Sequence, residues 1–194
     1  MSATTKARIL DAAEEIMLTK SFHSVGLNEI LAAVKVPKGS FYHYFESKEQ
    51  FGVELLRHYV SEHSARLRRM LLESRELNPA ERLMTLINGT IGRLLEGECR
   101  QFCLVGKLGA EVSTFSEGMR EVLAEGMREW RGIYEELIRE GQRKGVMRQD
   151  LDARVAAGIL QDAWQGAVHR SQIERSVQPA RETAKFLQGY LTGE

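Results

Sequence analysis

Apolar side chains recur at three- and four-residue intervals along most of the 194-residue chain, with charged residues between them. This spacing places the apolar residues on one face of a helix, and no stretch shows the two-residue alternation of a strand. The pattern therefore predicts an all-α fold with nine helices. The predicted helices cover about residues 5–20, 27–34, 38–44, 48–74, 79–95, 103–112, 117–144, 152–173 and 179–192.

Capping residues mark several of these helix ends. Ser47 stands three residues before Gln50, and Asn78 stands three residues before Glu81, which is the spacing of a capping box. Gly145 follows the long seventh helix and is suited to end it. Further N-caps are expected at Gly26, Ser116 and Asp152.

A short turn, Lys35-Val-Pro37, separates the second and third predicted helices. Two short helices joined by a three- or four-residue turn form a helix-turn-helix, whose second helix enters a DNA groove. The third helix, Lys38-Gly-Ser-Phe-Tyr-His-Tyr44, is rich in polar aromatic residues that suit an exposed face better than a core. We therefore predict a DNA-binding domain over residues 1–47 and an effector-binding and dimerisation domain over residues 48–194.

Charge changes this interpretation little. The 27 basic residues balance the 27 acidic ones, whereas nucleic-acid binders are often strongly basic. Locally, residues 35–48 carry Lys35, Lys38 and Lys48 against Glu46, a net charge of +2 (three minus one). A neutral protein with one small basic face fits a DNA reader whose larger part has another role.

Composition also bears on location and cofactors. We expect a cytoplasmic protein, because no apolar run reaches the roughly 20 residues of a membrane helix and the first residues lack the apolar segment of a signal peptide. Two cysteines, Cys99 and Cys103, do not form a secreted disulfide framework. The five histidines lack metal-ligand spacing, so we predict no metal and no cofactor.

Residues 5–52 resemble the N-terminal domain of the TetR family of bacterial repressors. The resemblance is carried by Ile9-Leu-Asp-Ala-Ala13, Gly26-Leu-Asn-Glu-Ile-Leu31 and Val36-Pro-Lys-Gly-Ser-Phe-Tyr-His-Tyr-Phe-Glu-Ser-Lys-Glu49. It departs at Pro37, where the family usually has Ser or Thr, and at Phe41, where it often has Leu. The resemblance implies binding to double-stranded operator DNA.

The third helix offers two kinds of DNA contact. Lys38 and Ser40 can each reach a base edge or a phosphate. The resemblance makes these two the base-edge contacts and makes Tyr42, His43 and Lys48 the phosphate contacts. Phe41 and Phe45 are expected in the core, and Gly39 leaves room for the DNA backbone. The candidate DNA-binding residues are Asn28, Lys38, Gly39, Ser40, Tyr42, His43 and Lys48.

The resemblance also implies a homodimer formed through the last two helices, at about residues 152–173 and 179–192. Small residues on the eighth helix permit close approach of a second helix, and the ninth carries large apolar ones. The alternative is that these faces pack only within the chain. The residues concerned are Ala156, Ala157, Ala163, Gly166, Ala167, Phe186, Leu187, Tyr190 and Leu191.

Cys103 is the candidate switch. It is expected in the first turn of the sixth helix with Lys107 one turn later, and a helix N-terminus and a nearby cation both favour a reactive thiolate. The alternative is a small buried apolar residue. Phe102-Cys-Leu-Val-Gly-Lys-Leu-Gly-Ala-Glu111 resembles a NemR- and AcuR-like subgroup of the family, which implies sensing of electrophiles or oxidants by Cys103. A lysine of NemR-like members is replaced here by Gln172.

Large side chains of the later helices are candidates for an effector pocket, although such residues are more often core. The candidate set that accompanies Cys103 and Lys107 is Met127, Trp130, Tyr134, Trp164 and His169.

The leading hypothesis is a dimeric transcriptional regulator, a repressor released from its operator by a small-molecule or electrophile signal near Cys103. A non-covalent hydrophobic effector, with Cys103 merely buried, is the first alternative. A thiol-dependent enzyme and a helical protein-interaction module are the others; the enzyme lacks a Cys-x-x-Cys motif and a Gly-rich phosphate loop.

Overall fold

The structure, a computed structural model, describes residues 4–99 and 103–193. These ranges contain nine α-helices and no strand, which confirms the predicted all-α fold. Arg100 and Gln101, in the predicted break, and Phe102, in the segment around the candidate switch, lie outside them. The helices are α1 (Thr5–Met17), α2 (Leu27–Ala33), α3 (Lys38–Tyr44), α4 (Lys48–Arg68), α5 (Pro79–Glu96), α6 (Leu104–Val112), α7 (Glu117–Arg143), α8 (Ala153–Glu174) and α9 (Gln178–Thr192).

Most helix ends lie where the capping residues predict. Asn78 and Glu81 form a complete capping box at the start of α5. At α4 only half of the predicted box forms: Ser47 Oγ accepts from the Gln50 amide N–H at 3.0 Å, but the Gln50 side chain donates to Glu54 at 3.3 Å. Elsewhere α1 ends three residues before its predicted end, and α4 passes into a π-helical turn, Arg69–Glu73.

The described residues form two compact units. The first contains residues 4–62 and 103–126, and the second contains residues 63–99 and 127–193. The boundaries of these compact units differ from the predicted domain boundary after residue 47. That boundary separates two functions, and it stays a prediction.

The core of the first unit contains the helix-turn-helix. Helix α2 packs against α1 and α3, and the side chains of Ile9, Ile30 and Phe41 are buried between them. Gly52 of α4 allows a close approach, since a Cβ added there would lie 2.1 Å from Met119 Cε and 2.7 Å from the Phe22 ring.

In the second unit, α9 packs against α5 and α8. The prediction that small residues of α8 face a second copy is wrong for Ala156, Ala157 and Ala167, which are buried within the chain. On the same two helices Ile173 and Phe186 are exposed. The outward surface of this helix pair therefore includes large apolar residues. Three of the predicted small residues pack inside the chain, whereas Gly166 is exposed and Ala163 is half-buried.

A buried ion pair lies at the π-helical turn of the second unit. Arg82 of α5 donates through Nη1 to the Leu71 carbonyl at 2.5 Å, and its Nη2 lies 2.7 Å from Glu140 Oε1. Burial raises the pKa of Glu140, but hydrogen bonds from Arg82 and Lys144 outweigh it and lower the pKa overall. Loss of Glu140 would leave the buried Arg82 guanidinium without its opposite charge, whereas Glu140 keeps Lys144 at 2.8 Å when Arg82 is lost.

Among the described helices, none combines the length and apolar character that crossing a bilayer requires.

Candidate DNA-reading helix and thiol site

The turn between α2 and α3 sets the direction of the reading helix. Lys35 has a left-handed backbone (φ 56°), and the Val36 N–H donates to the Leu31 carbonyl at 3.0 Å. Arg8 of α1 donates to the Val34 carbonyl at 2.9 Å. These contacts satisfy the free carbonyls at the end of α2 and reverse the chain into α3.

The aromatic residues of α3 and its C-cap divide into two sets, as predicted. Phe41 and Phe45 are each only 1% exposed, and their ring centroids lie 5.0 Å apart and 5.4 and 5.0 Å from that of Phe51. Tyr42 is 59% exposed, and His43 is exposed beside it. The buried set anchors the helix, and the exposed set offers an O–H and a ring N–H to a ligand.

The other candidate DNA-binding residues of α2 and α3 are at least partly exposed. Asn28, Lys38 and Gly39 are exposed, and Ser40 is half-buried. A Cβ placed on Gly39 would meet nothing within 4 Å, so the start of α3 is open on that side. Their contacts with DNA stay predictions.

Lys48 has a role that the sequence did not indicate. Its ammonium donates to the carbonyls of His23 at 3.2 Å and Val25 at 2.8 Å, and it lies 5.2 Å from the centre of the Phe22 ring. Two of its three N–H groups are thus engaged within the unit. Its first function is to hold the loop between α1 and α2, and its phosphate contact stays a prediction.

Cys103 lies one position before its predicted place. It is the N-cap of α6, with an extended backbone, and is not part of the first helical turn. The thiol is half-buried and free. Tyr59 of α4 donates its hydroxyl to Cys103 Sγ at 3.5 Å and accepts from the Leu104 N–H at 3.4 Å. The sulfur therefore has a hydrogen-bond donor supplied by a distant part of the chain.

Two ionisable groups near this thiol have shifted pKa values. Burial, followed by the charge of a Cys103 thiolate and the hydrogen bond to its sulfur, raises the pKa of Tyr59. The phenol therefore stays protonated and remains a donor. Burial lowers the pKa of Lys107, and the nearby Glu111 opposes this effect.

The remaining candidate effector residues lie in the second unit. Trp130 and Tyr134 of α7 are buried, Met127 and Trp164 are half-buried, and His169 is exposed on α8. The exposure of His169 agrees with the surface alternative.

A histidine that the sequence did not indicate packs against one of these residues. The His63 ring centroid lies 4.4 Å from that of Trp130, whose indole N–H donates to Ser64 Oγ at 3.0 Å. Burial, followed by the charges of Arg66 and Arg93, lowers the pKa of His63 to about 4. His63 is thus neutral near pH 7, when its Nδ1 can accept from Arg66 Nη2 at 3.0 Å.

Two cavities of the second unit lie away from the candidate effector residues. One, of about 460 Å³, is formed by the start of α5, the loop after α7 and the end of α9. The other, of about 300 Å³, includes Cys99 and Arg175 in its lining. Neither is lined by the predicted set, whose role in effector binding stays a prediction.

Comparison with known proteins agrees with this geometry along nearly the whole chain. Residues 9–55 match the family model of bacterial regulatory proteins of the tetR family, and residues 79–187 match the tetracyclin repressor-like C-terminal domain. The chain belongs to the TetR family of bacterial transcriptional regulators. Members of the family bind operator DNA, act as dimers and respond to small-molecule effectors.

Within the TetR family, the chain is similar to two named regulators. It is 35% identical over 176 residues to the transcriptional repressor NemR of Escherichia coli (strain K12), covering 90% of this chain and 87% of NemR. It is 33% identical over 185 residues to the regulator AcuR of Cereibacter sphaeroides, covering 95% and 84%. The crystal structure of the reduced form of E. coli NemR superposes with a TM-score of 0.88 at 30% identity, covering 97% of each chain.

The predicted family and the predicted DNA-binding regulator are thereby confirmed. The contacts of Tyr59 with Cys103 and of Glu111 with His23 have no signal in the sequence. Tyr59 fits the apolar stripe of α4, so its hydroxyl gave no separate signal. Glu111 stands in the segment that resembles the NemR- and AcuR-like subgroup, but no pattern paired it with His23.

Proposed function

We propose that this TetR-family protein is a repressor that leaves its operator when an electrophile or oxidant modifies Cys103. The observation that carries the proposal is the Tyr59 hydroxyl, 3.5 Å from the Cys103 sulfur. An O–H donor directed at sulfur stabilises negative charge on it, and the thiolate is the reactive form of cysteine. The N-terminal position of Cys103 on α6 acts in the same direction.

The proposed reaction with a quinone or maleimide is a conjugate addition. The Cys103 thiolate forms a bond to the electron-poor alkene carbon. The electron pair of the carbon–carbon double bond moves to the conjugated carbonyl, and a proton from water completes the adduct. Nothing is oxidised, and no partner amine is needed, which is consistent with Gln172 at the place of a lysine in NemR-like proteins.

The dimer supplies two copies of α3, and we place its interface on α8 and α9. Val155, Ile159 and Ile173 of α8 are exposed, as is Phe186 of α9, which stacks on Tyr190 at 6.0 Å. Large apolar side chains exposed on one helix pair are typical of a surface that a partner covers. Two-fold pairing repeats the reading helix at about 34 Å, one turn of DNA, or somewhat more.

The test compares Cys103→Ser with Cys99→Ser. A duplex selected from a random-sequence pool by the unmodified protein serves as operator, and gel-shift titrations are run before and after N-ethylmaleimide. We expect Cys103→Ser to keep DNA binding and lose the response, whereas Cys99→Ser, which removes a buried thiol, keeps both. A normal response in Cys103→Ser contradicts covalent sensing and favours a non-covalent effector.

A further inference from the structure

One carboxylate joins the helix that begins after Cys103 to the DNA-reading part of the first unit. Glu111 lies in the last turn of α6 and accepts from three N–H groups in the loop between α1 and α2. Its Oε2 accepts from the Phe22 amide at 3.1 Å, and its Oε1 accepts from the His23 amide at 3.0 Å and lies 2.8 Å from His23 Nδ1. No other residue after position 103 makes three such contacts with this loop in the part of the chain described.

The loop is held from its other side by the helix that follows α3. Lys48, the first residue of α4, donates to the carbonyls of His23 and Val25. Aromatic packing completes the joint, because the Phe115 ring lies 5.9 Å from Phe22 and 4.4 Å from His23 between centroids. Glu111 and Lys48 therefore both bind the loop between α1 and α2. Glu111 accepts from N–H groups of the loop, and Lys48 donates to its carbonyls.

Helix α6 is a short rigid connection between the thiol and this joint. It begins directly after Cys103 and ends at Val112, so its nine residues span about 13 Å at 1.5 Å per residue. An adduct on Cys103 Sγ enlarges the side chain at the point where Tyr59 now contacts sulfur. A hydrogen-bonded helix moves as a body, so displacement at its first turn is carried to its last.

We propose that Glu111 is the coupling residue of the switch, the contact through which the state of Cys103 reaches the DNA-reading helix. The inference rests on the proposed sensing by Cys103. Reaction at Cys103 shifts α6, Glu111 releases residues 22 and 23, and the loop held by Lys48 no longer fixes the start of α4 and the end of α3. The carboxylate thus carries a coupling free energy between two sites.

The experiment measures that coupling directly. Wild type, Glu111→Ala and Glu111→Gln, all in a Cys99→Ser background, are titrated with the selected duplex before and after N-ethylmaleimide, and mass spectrometry verifies the adduct on Cys103. We expect the adduct to weaken DNA binding by roughly tenfold or more in wild type and by less than about threefold in Glu111→Ala. Glu111→Gln lies between them, because an amide keeps one acceptor oxygen and turns an NH₂ towards the other donor.

A matched control removes a carboxylate that makes no contact with the loop. Glu117→Ala deletes an exposed side chain that pairs with Arg120 within α7, and it keeps the wild-type response. A full response in both Glu111 variants overturns the coupling role and leaves sensing intact. A wild type that forms the adduct and still binds DNA overturns sensing, and the coupling inference falls with it.

Amide hydrogen exchange tests the contact without any Glu111 substitution. The N–H groups of Phe22 and His23 donate to Glu111, so their exchange reports whether the joint is closed. We expect both amides to exchange faster after alkylation of Cys103 in wild type, by at least about fivefold, the lower end of typical coupling between sites. Unchanged exchange in a protein whose adduct has released DNA overturns the proposal.

Discussion

Helices α3 and α6 are both short and lie in the same unit, yet they are held in different ways. The buried residues of α3 contact a neighbour close in sequence, since Phe41 and its C-cap Phe45 pack on Phe51. The ends of α6 are held from afar: Tyr59 contacts Cys103 across 44 positions, and Glu111 reaches the loop at residues 22 and 23 across 88 and 89. Aromatic packing between residues close in sequence therefore helps to hold α3, whereas polar contacts with distant residues hold the two ends of α6.

The largest expected effect tests whether Phe41 anchors α3. Phe41→Ala should lower the free energy of unfolding by about 3–5 kcal/mol, because it removes a fully buried ring and leaves a cavity beside Phe45 and Phe51. Chemical denaturation followed by circular dichroism measures the loss. A change below about 1 kcal/mol would mean that α3 is held by something other than its aromatic core.

This difference between the helices explains what the sequence could predict. Periodicity and capping residues located all nine helices of the described ranges, because both are local properties of the chain. The division of the α3 aromatics followed in the same way. The Tyr59–Cys103 and Glu111–His23 contacts depend on how distant segments meet, and no spacing rule encodes that.

The same reason accounts for what the sequence missed. Nothing in the neighbourhood of Lys48 predicted that its ammonium would donate to the carbonyls of His23 and Val25, and its phosphate contact stays a prediction. The small residues of α8 looked suited to a partner helix, yet Ala156 and Ala157 are needed where the chain packs on itself. Composition of a face does not say which neighbour covers it.

The second prediction uses the residue next to Phe41. Tyr42→Ala removes an aromatic ring of similar size from the exposed side of the same helix, so the stability of the protein should change by less than about 0.5 kcal/mol. Operator affinity should fall by about 1.5 kcal/mol for each copy, and so by about 3 kcal/mol or roughly a hundredfold for the dimer, if each Tyr42 hydroxyl bonds one phosphate. Gel-shift titration measures it, and an unchanged Kd would remove Tyr42 from the reading surface.

The third prediction tests the donor on the switch. Tyr59→Phe keeps the buried ring and removes the hydroxyl that donates to Cys103 Sγ and accepts from the Leu104 N–H. The rate of Cys103 alkylation by iodoacetamide at fixed pH should fall about fivefold, which corresponds to one hydrogen bond worth about 1 kcal/mol. Tyr134→Phe, in the other unit, is the control for loss of a tyrosine hydroxyl. Equal alkylation rates in wild type and Tyr59→Phe would show that the Tyr59 hydroxyl does not activate the Cys103 thiol.

The smallest expected effect concerns the acid stability of the α6 joint. Burial raises the pKa of Glu111, but hydrogen bonds from the His23 amide, the His23 side chain and the Phe22 amide outweigh it and lower the pKa overall. A carboxyl whose folded-state pKa lies below its unfolded value of 4.5 adds stability that is complete above pH 4.5. That stability is lost as the pH falls through the folded-state pKa.

Glu111→Gln should therefore be less stable than wild type near pH 7. The difference should shrink as the pH falls from 4.5 through the lower folded-state pKa of Glu111, because protonation makes the wild-type carboxyl neutral like the amide. Urea titrations at a series of pH values measure both variants, and Glu125→Gln, an exposed change on α7, is the control. A difference in unfolding free energy between wild type and Glu111→Gln that stays constant with pH would show that the charge of Glu111 does not help to hold the loop. In that case α6 would be joined to the reader by packing, as α3 is, and the contrast between the two helices would narrow to the Tyr59 contact at Cys103.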